Sequence, residues 1–145
     1  MADTGAPDHP RETRFIEMIF PEQSNHYGTL FAGNALSLVG KAAFVAATRY
    51  ARCPIVMGAS DKIKFHTPVK VGELVEVIAR VERVGRSSMT VSVQVKAEVL
   101  LTGEQRLAVS GTCEMVAVDG NGRPAAIPSA ARTEDAASTK KGSVS

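Results

Sequence analysis

At 145 residues, 44% of them apolar and 22% charged, the chain has the length and apolar share of a single domain built around one core. Its formal charge of +2 is too small to hold nucleic acid by bulk electrostatics, although a local basic patch is compatible with a phosphorylated ligand. Cys53 and Cys113 lie in apolar sequence without CxxC or Cys/His spacing, which favours small buried thiols in a reducing compartment over a disulfide framework or a zinc site.

Residues 1–12, rich in Pro, Asp and Gly without periodicity, are expected to form a disordered tail. They lack the basic region and apolar run of a signal peptide, so the expected location is the cytoplasm. Residues 14–20 read as a short strand stopped by Pro21. A polar, glycine-punctuated loop follows, Asn25-His26-Tyr27-Gly28-Thr29-Leu30-Phe31-Ala32-Gly33. It opens into a segment beginning at Asn34 that carries Ala35, Leu36, Leu38, Val39, Ala42, Ala43, Phe44, Val45, Ala46 and Ala47. This composition favours helix, and apolar residues on nearly every side predict a central helix buried all round. Interrupted by Gly40 and Lys41, the segment is too short for a membrane span, and membrane insertion is not expected. The backbone N–H groups that open the helix, around Ala32 and Gly33, are suited to an anionic or developing-negative oxygen.

From Pro54 the period becomes two. Ile55, Met57, Ala59, Asp61, Ile63 and Phe65 fall on one face, which makes Asp61 a lone charge among apolar neighbours. After the turn 66–72, a second strand points Val75, Val77, Ala79 and Val81 inward. A third alternates Met89, Val91, Val93, Val95, Ala97 and Val99 against polar residues, and a fourth, 107–118, turns Leu107, Val109, Cys113, Met115 and Ala117 to one side. Residues 129–145 read as a second disordered tail, leaving 13–128 as the folded domain. One short strand, a helix and four strands joined by tight turns predict an α+β fold with an antiparallel sheet of about five strands wrapped around the helix.

Three segments together, 25–33, Asp61-Lys62-Ile63-Lys64-Phe65-His66-Thr67-Pro68-Val69-Lys70-Val71-Gly72-Glu73 and Gly85-Arg86-Ser87-Ser88-Met89, resemble the acyl-CoA thioesterases of the hotdog superfamily. The resemblance implies a homodimer joined edge to edge, further assembly into a trimer of dimers, and a site between subunits. It implies an acyl-CoA substrate, with coenzyme A as part of the substrate and no separate cofactor or metal. It assigns Asn25 to the reaction with a helix carboxylate of the partner, and the Ala32 and Gly33 N–H groups to polarising the thioester carbonyl. Arg86, Ser87 and Ser88 are assigned to coenzyme A, with Lys64 as part of a basic rim.

The family's helix carboxylate falls on Gly40, which has no side chain. Two functions follow as expectations: an acyl-CoA hydrolase lacking its usual base, or an acyl-CoA-binding protein of the same fold with impaired catalysis. A dehydratase acting on 3-hydroxyacyl thioesters lacks a suitably placed His and helix carboxylate. Asp61 is the candidate substitute carboxylate, against the plainer reading that backbone donors satisfy it. Asn25 is weighed as a loop-ordering residue as well as a catalytic one. His26, Ser37 and Lys41 are weaker candidates for a base, a water-holding hydroxyl and an interface or phosphate-neutralising cation.

Overall fold

The computed structural model describes residues 8–132; residues 1–7 and 133–145, which hold most of both expected tails, lie outside the described residues. The elements are β1 (Glu12–Met18), a 3-10 turn (Pro21–Gln23), α1 (Ala32–Ala51), β2 (Ile55–Phe65), β3 (Leu74–Val84), β4 (Ser88–Glu98) and β5 (Gln105–Ala117). All strand pairs are antiparallel, in the order β1-β3-β4-β5-β2. One long helix lies across one face of this five-stranded sheet, as the sequence predicts.

The inward residues of β3 and β4 are the expected ones. Val75, Val77, Ala79 and Val81 meet Val91, Val93, Val95 and Ala97 across the ladder, and all are buried against α1. On β5, a register shift opposite Val95 and Lys96 inserts an extra residue, so Ala108 as well as Val109 is buried and Leu107 is only half-buried. Ahead of β1, His9 Nδ1 lies 2.6 Å from the Tyr50 carbonyl, and Arg11 donates to the Val81 carbonyl at 2.7 Å. That part of the expected N-terminal tail packs on the domain. At the other end, residues 129–132 form a helical turn whose Ala131 carbonyl accepts from the buried Tyr50 hydroxyl at 3.0 Å.

Two expectations are corrected. The helix is not buried all round: Ala35, Leu38, Val39, Ala42, Ala43, Ala46 and Ala47 face the sheet, while Leu36 and Phe44 are each 47% exposed. Those two stand one turn either side of Gly40, so an apolar stripe runs along the outer side of α1. Nor does β2 alternate. It forms an edge, and its register shifts between Met57 and Ala59 and again between Asp61 and Lys64. The first shift reverses the facing of the residues after it. Met57 pairs with the inward Met115, but Asp61 pairs with Thr112, on the face turned away from α1.

Candidate functional site

Asn25 is the internal brace of the loop that precedes α1. Its Oδ1 accepts from Tyr27 N (2.9 Å), Thr29 N (3.2 Å) and Thr29 Oγ1 (3.2 Å), and its backbone exchanges bonds with Thr29 and Gly28. Asx-type bonding of this kind is what makes Asn a turn-former. With Oδ1 engaged three times, the Nδ2 donor has no acceptor among the described residues. His26 is exposed and stacks its ring 4.0 Å from that of Tyr27, which places it on the loop's outside.

A second turn supports the loop from below. Leu30 N donates to the Val69 carbonyl at 2.7 Å and Val71 N to the Gly28 carbonyl at 3.1 Å. Gly28 and Gly72 adopt φ of +78° and +92°, conformations that a side chain would strain. The turn is held in its own right by Glu73, which accepts from Lys70 N at 2.9 Å and from Arg106 at 2.7 and 3.2 Å. Hydrogen bonds from Arg106 hold the Glu73 carboxyl below its ordinary pKa, against the opposing effect of burial.

The start of α1 is tied to the same corner. Phe31 N and Asn34 Nδ2 both donate to the Gln23 carbonyl, at 2.9 and 3.0 Å. The first helical bond is Ala35 N to the Phe31 carbonyl, and no side chain caps the helix. The N–H groups of Ala32 and Gly33 therefore have no intrahelical partner and lie at the exposed surface. The Phe31 ring leans over this turn: a Cβ on Gly33 would stand 2.8 Å from its Cε2. A Gly33→Val chain must displace the ring and shield the donors. Binding of a carbonyl or anionic oxygen at this turn is expected to weaken about tenfold, a fraction of what losing one oxyanion donor costs, and thermal melts beside the binding measurement separate this from unfolding.

Beside the first turn is an apolar cavity of about 270 Å³ lined by Leu30, Ala35, Phe65, His66, Val69 and Val109 among others. His66 borders this cavity, while its Nε2 lies 2.8 Å from the Oγ of Ser110, a residue of the sheet's outer face. The sequence puts His66 at the start of the turn after β2 and within the second of the three segments that carry the family resemblance, without giving it a role.

The remaining candidates are dispersed. Gly40, half-buried, sits where a Cβ would make an ordinary 3.6 Å contact with Met57 Cε, so the space would admit a side chain. Lys41 leans toward β1, pairing with Glu17 at 3.3 Å and lying 5.3 Å from the Phe15 ring centre. Ser37 lines a groove with the same Lys41 and Glu17. Asp61 is exposed on the opposite sheet face, where its carbonyl accepts from Thr112 Oγ1 at 3.2 Å. Lys64 pairs with Ser110 and lines a polar groove on that outer face with Lys62, Gln94 and Thr112. Arg86, Ser87 and Ser88 form the β3–β4 hairpin, pinned by Ala117 N to the Ser87 carbonyl and Ile127 N to the Arg86 carbonyl. Ala117 pairs with Ile55, the start of β2, whereas Phe65 at its end lies by the α1 first turn. A strand's length, roughly 30 Å at 3.3 Å per residue, thus separates Arg86 from the helix donors of its own chain. Cys53 and Cys113 are free thiols, both pushed up in pKa by burial. No described helix is long and apolar enough to cross a membrane.

Comparison with known proteins gives this geometry a context. The sequence model of the thioesterase superfamily matches residues 27–103. A curated Bacillus subtilis protein named as an acyl-CoA thioester hydrolase is 35% identical, over 81% of this chain and 73% of its own length. A solved hexameric acyl-CoA thioesterase is 30% identical with a TM-score of 0.79, over 94% of this chain and 92% of its own. The acyl-CoA hydrolase of Staphylococcus aureus, solved with butyryl coenzyme A and coenzyme A, is 28% identical with a TM-score of 0.76, over 81% and 72%. In that enzyme an Asn, an Asp fifteen residues later and a Thr seventeen beyond it have each been changed to Ala. Asn25, Gly40 and Met57 stand at the same spacings. On its sequence match and its fold, the chain belongs to the thioesterase superfamily.

Proposed function

We propose that the protein hydrolyses acyl-CoA thioesters to a free acid and coenzyme A. The observation that carries this reading is the uncapped first turn of α1, opening beside an apolar cavity at the end of the loop that Asn25 orders. A thioester carbonyl oxygen set against the Ala32 and Gly33 N–H groups gains stabilisation as it becomes an oxyanion, since those donors and the helix dipole are already aligned. The Asn25 amide donor, on the loop that leads into this turn, is the second group assigned to the carbonyl in this reading. Water adds to the carbonyl carbon, the tetrahedral intermediate collapses with cleavage of the C–S bond, and the thiolate of coenzyme A leaves with the water's second proton going to solvent.

With Gly40 in the carboxylate position, the donors act without a helix base. Positioned general bases contribute about 10²- to 10⁴-fold, so slow turnover is the expected regime. The distance between Arg86 and the α1 donors suits a site shared by two copies. A copy related by a two-fold axis perpendicular to β2 at its free edge would pair the two β2 strands antiparallel and bring the partner subunit's Arg86 hairpin toward Phe65 and the helix start. Val56, Met57 and Phe65 on β2, with Leu36 and Phe44 on α1, are exposed apolar residues suited to that contact. Self-association as a dimer, and as a trimer of dimers, belongs to this reading. A soluble, cytoplasmic setting would suit it.

Thiol release measured over a series of acyl-CoA chain lengths, with calorimetric binding of the same ligands, tests the reading. Slow release above the buffer rate is expected. Binding without release favours the acyl-CoA-binding alternative, for which Gly40 is the specific support; neither binding nor release sinks both.

A further inference from the structure

The surroundings of Gly40 say more than its missing side chain does. A Cβ there would touch Met57 Cε at 3.6 Å and meet nothing else outside the helix within 4 Å. The nearest polar side chains on α1, Ser37 and Lys41, line the groove on the β1 side. Asp61 is on the far face of the sheet. Along the helix the neighbours one turn away are Leu36 and Phe44, both apolar and half in solvent. Within 4 Å of a Cβ at position 40 the described residues offer the Met57 methyl and no hydrogen-bond donor, so a carboxylate introduced there has nothing on β2 to fix it and turns toward solvent.

Met57 is positioned by β2. It pairs with Met115, which is fully buried, so its side chain is directed to the helix side of the sheet just before the register shift at Gly58. At the same spacing the Staphylococcus aureus hydrolase carries a Thr after an Asp, where this chain has Met57 after Gly40. Where that enzyme has an acid and a hydroxyl at this spacing, this chain has a hydrogen and a thioether, and a Cβ placed on Gly40 would stand 3.6 Å from the Met57 methyl.

We propose that Met57 is a positioning residue that forms one unit with Gly40: its thioether occupies the place of the hydroxyl a carboxylate at position 40 needs to be held as a base. This inference rests on the acyl-CoA hydrolase reading. Restoring the acid alone gives a carboxylate with no donor facing it from β2; restoring the hydroxyl alone gives a donor without a base. Only the pair rebuilds a charge-assisted hydrogen bond that fixes the carboxylate.

A double-mutant cycle on the full chain tests it, with kcat, its pH profile, melting temperature and acyl-CoA binding measured for Gly40→Asp, Met57→Thr and both together. The gain in kcat from Gly40→Asp is expected to be at least tenfold larger in the Met57→Thr background than in the natural one. The paired variant should also acquire an acid limb, losing activity as the new carboxylate protonates. Met57→Ser should reproduce the coupling. Met57→Val, close in shape to Thr but without the hydroxyl, should not. Intact binding with coupling below twofold, or equal coupling with Val, overturns the inference while leaving the hydrolase reading in place. Absence of both binding and turnover in every variant overturns the two together.

Discussion

Asn25→Asp is expected to lower kcat for acyl-CoA by about 100-fold, the scale of a lost oxyanion-type donor, while the melting temperature stays close to that of the natural chain. The reason lies in the division of labour within one amide. Oδ1 accepts from Tyr27 N, Thr29 N and Thr29 Oγ1 and so orders the loop; Nδ2 has no acceptor among the described residues and is the half available to substrate. An aspartate keeps the acceptor and removes the donor, placing a negative charge near an oxygen that is itself becoming negative. Asn25→Ala removes both halves. It should match the catalytic loss and add about 1–2 kcal/mol of destabilisation from the donors left without an acceptor, visible as a lower melting temperature and faster proteolysis within 24–30. If Asn25→Asp keeps its activity within threefold, the amide donor does not serve the reaction and Asn25 is a loop brace alone.

The parts of this fold that were legible in the sequence are those where one chain supplies everything on both sides. β3 and β4 lie inside the sheet with neighbours on each edge, so Val75 to Val81 and Met89 to Ala97 had to alternate, and they do. β2 misled because it is an edge. A period-two reading through Met57 and Asp61 assumes an unbroken ladder, but the extra residues at its two register shifts are set by packing against β5, including Ile63 folded over Gly111. Asp61 therefore looked like an inward charge and lies on the outer face. The helix misled in a related way. Leu36 and Phe44 are apolar without being covered by their own chain, and composition cannot distinguish a residue buried by its own sheet from one that a second copy would cover. The loop from Asn25 to Gly33 was readable because its chemistry is local, a turn-forming amide followed by an uncapped helix. Met57 was not, because the role proposed for it depends on how close its methyl lies to the space above a helix position seventeen residues earlier, which only the packing of β2 on α1 sets.

Arg106→Met is expected to destabilise the fold by about 2–3 kcal/mol, at or just below the lower end of what breaking one side of a fully buried ion pair costs, because the Glu73 side chain is only 11% exposed but Arg106 is 29% exposed. In a domain of this size that corresponds to roughly 5–12 °C in melting temperature. Methionine keeps the apolar stem and leaves Glu73 with its Lys70 N bond but without its counter-charge; the bond from Arg106 Nη2 to the Pro68 carbonyl, 2.6 Å, is lost as well. The pH dependence identifies the cause. In the natural chain the hydrogen bonds from Arg106 lower the folded-state pKa of Glu73 below its unfolded value, so this contribution is complete above about pH 4.5 and is lost as the pH falls through the folded value. In Arg106→Met burial acts unopposed by the ion pair, and protonation relieves the unpaired charge instead of breaking a bond. The gap in stability should thus be widest near neutral pH and narrow in acid. Arg106→Lys should recover only part of it, since one ammonium cannot span both Glu73 oxygens and the Pro68 carbonyl. The turn these bonds hold is the one that fixes Gly28 and Leu30 beneath Asn25, so kcat/KM should decline with Arg106→Met even well below its melting temperature. A stability gap equally wide at pH 4 and pH 7 would mean that the loss comes from packing around the Arg106 stem and not from the Glu73 charge.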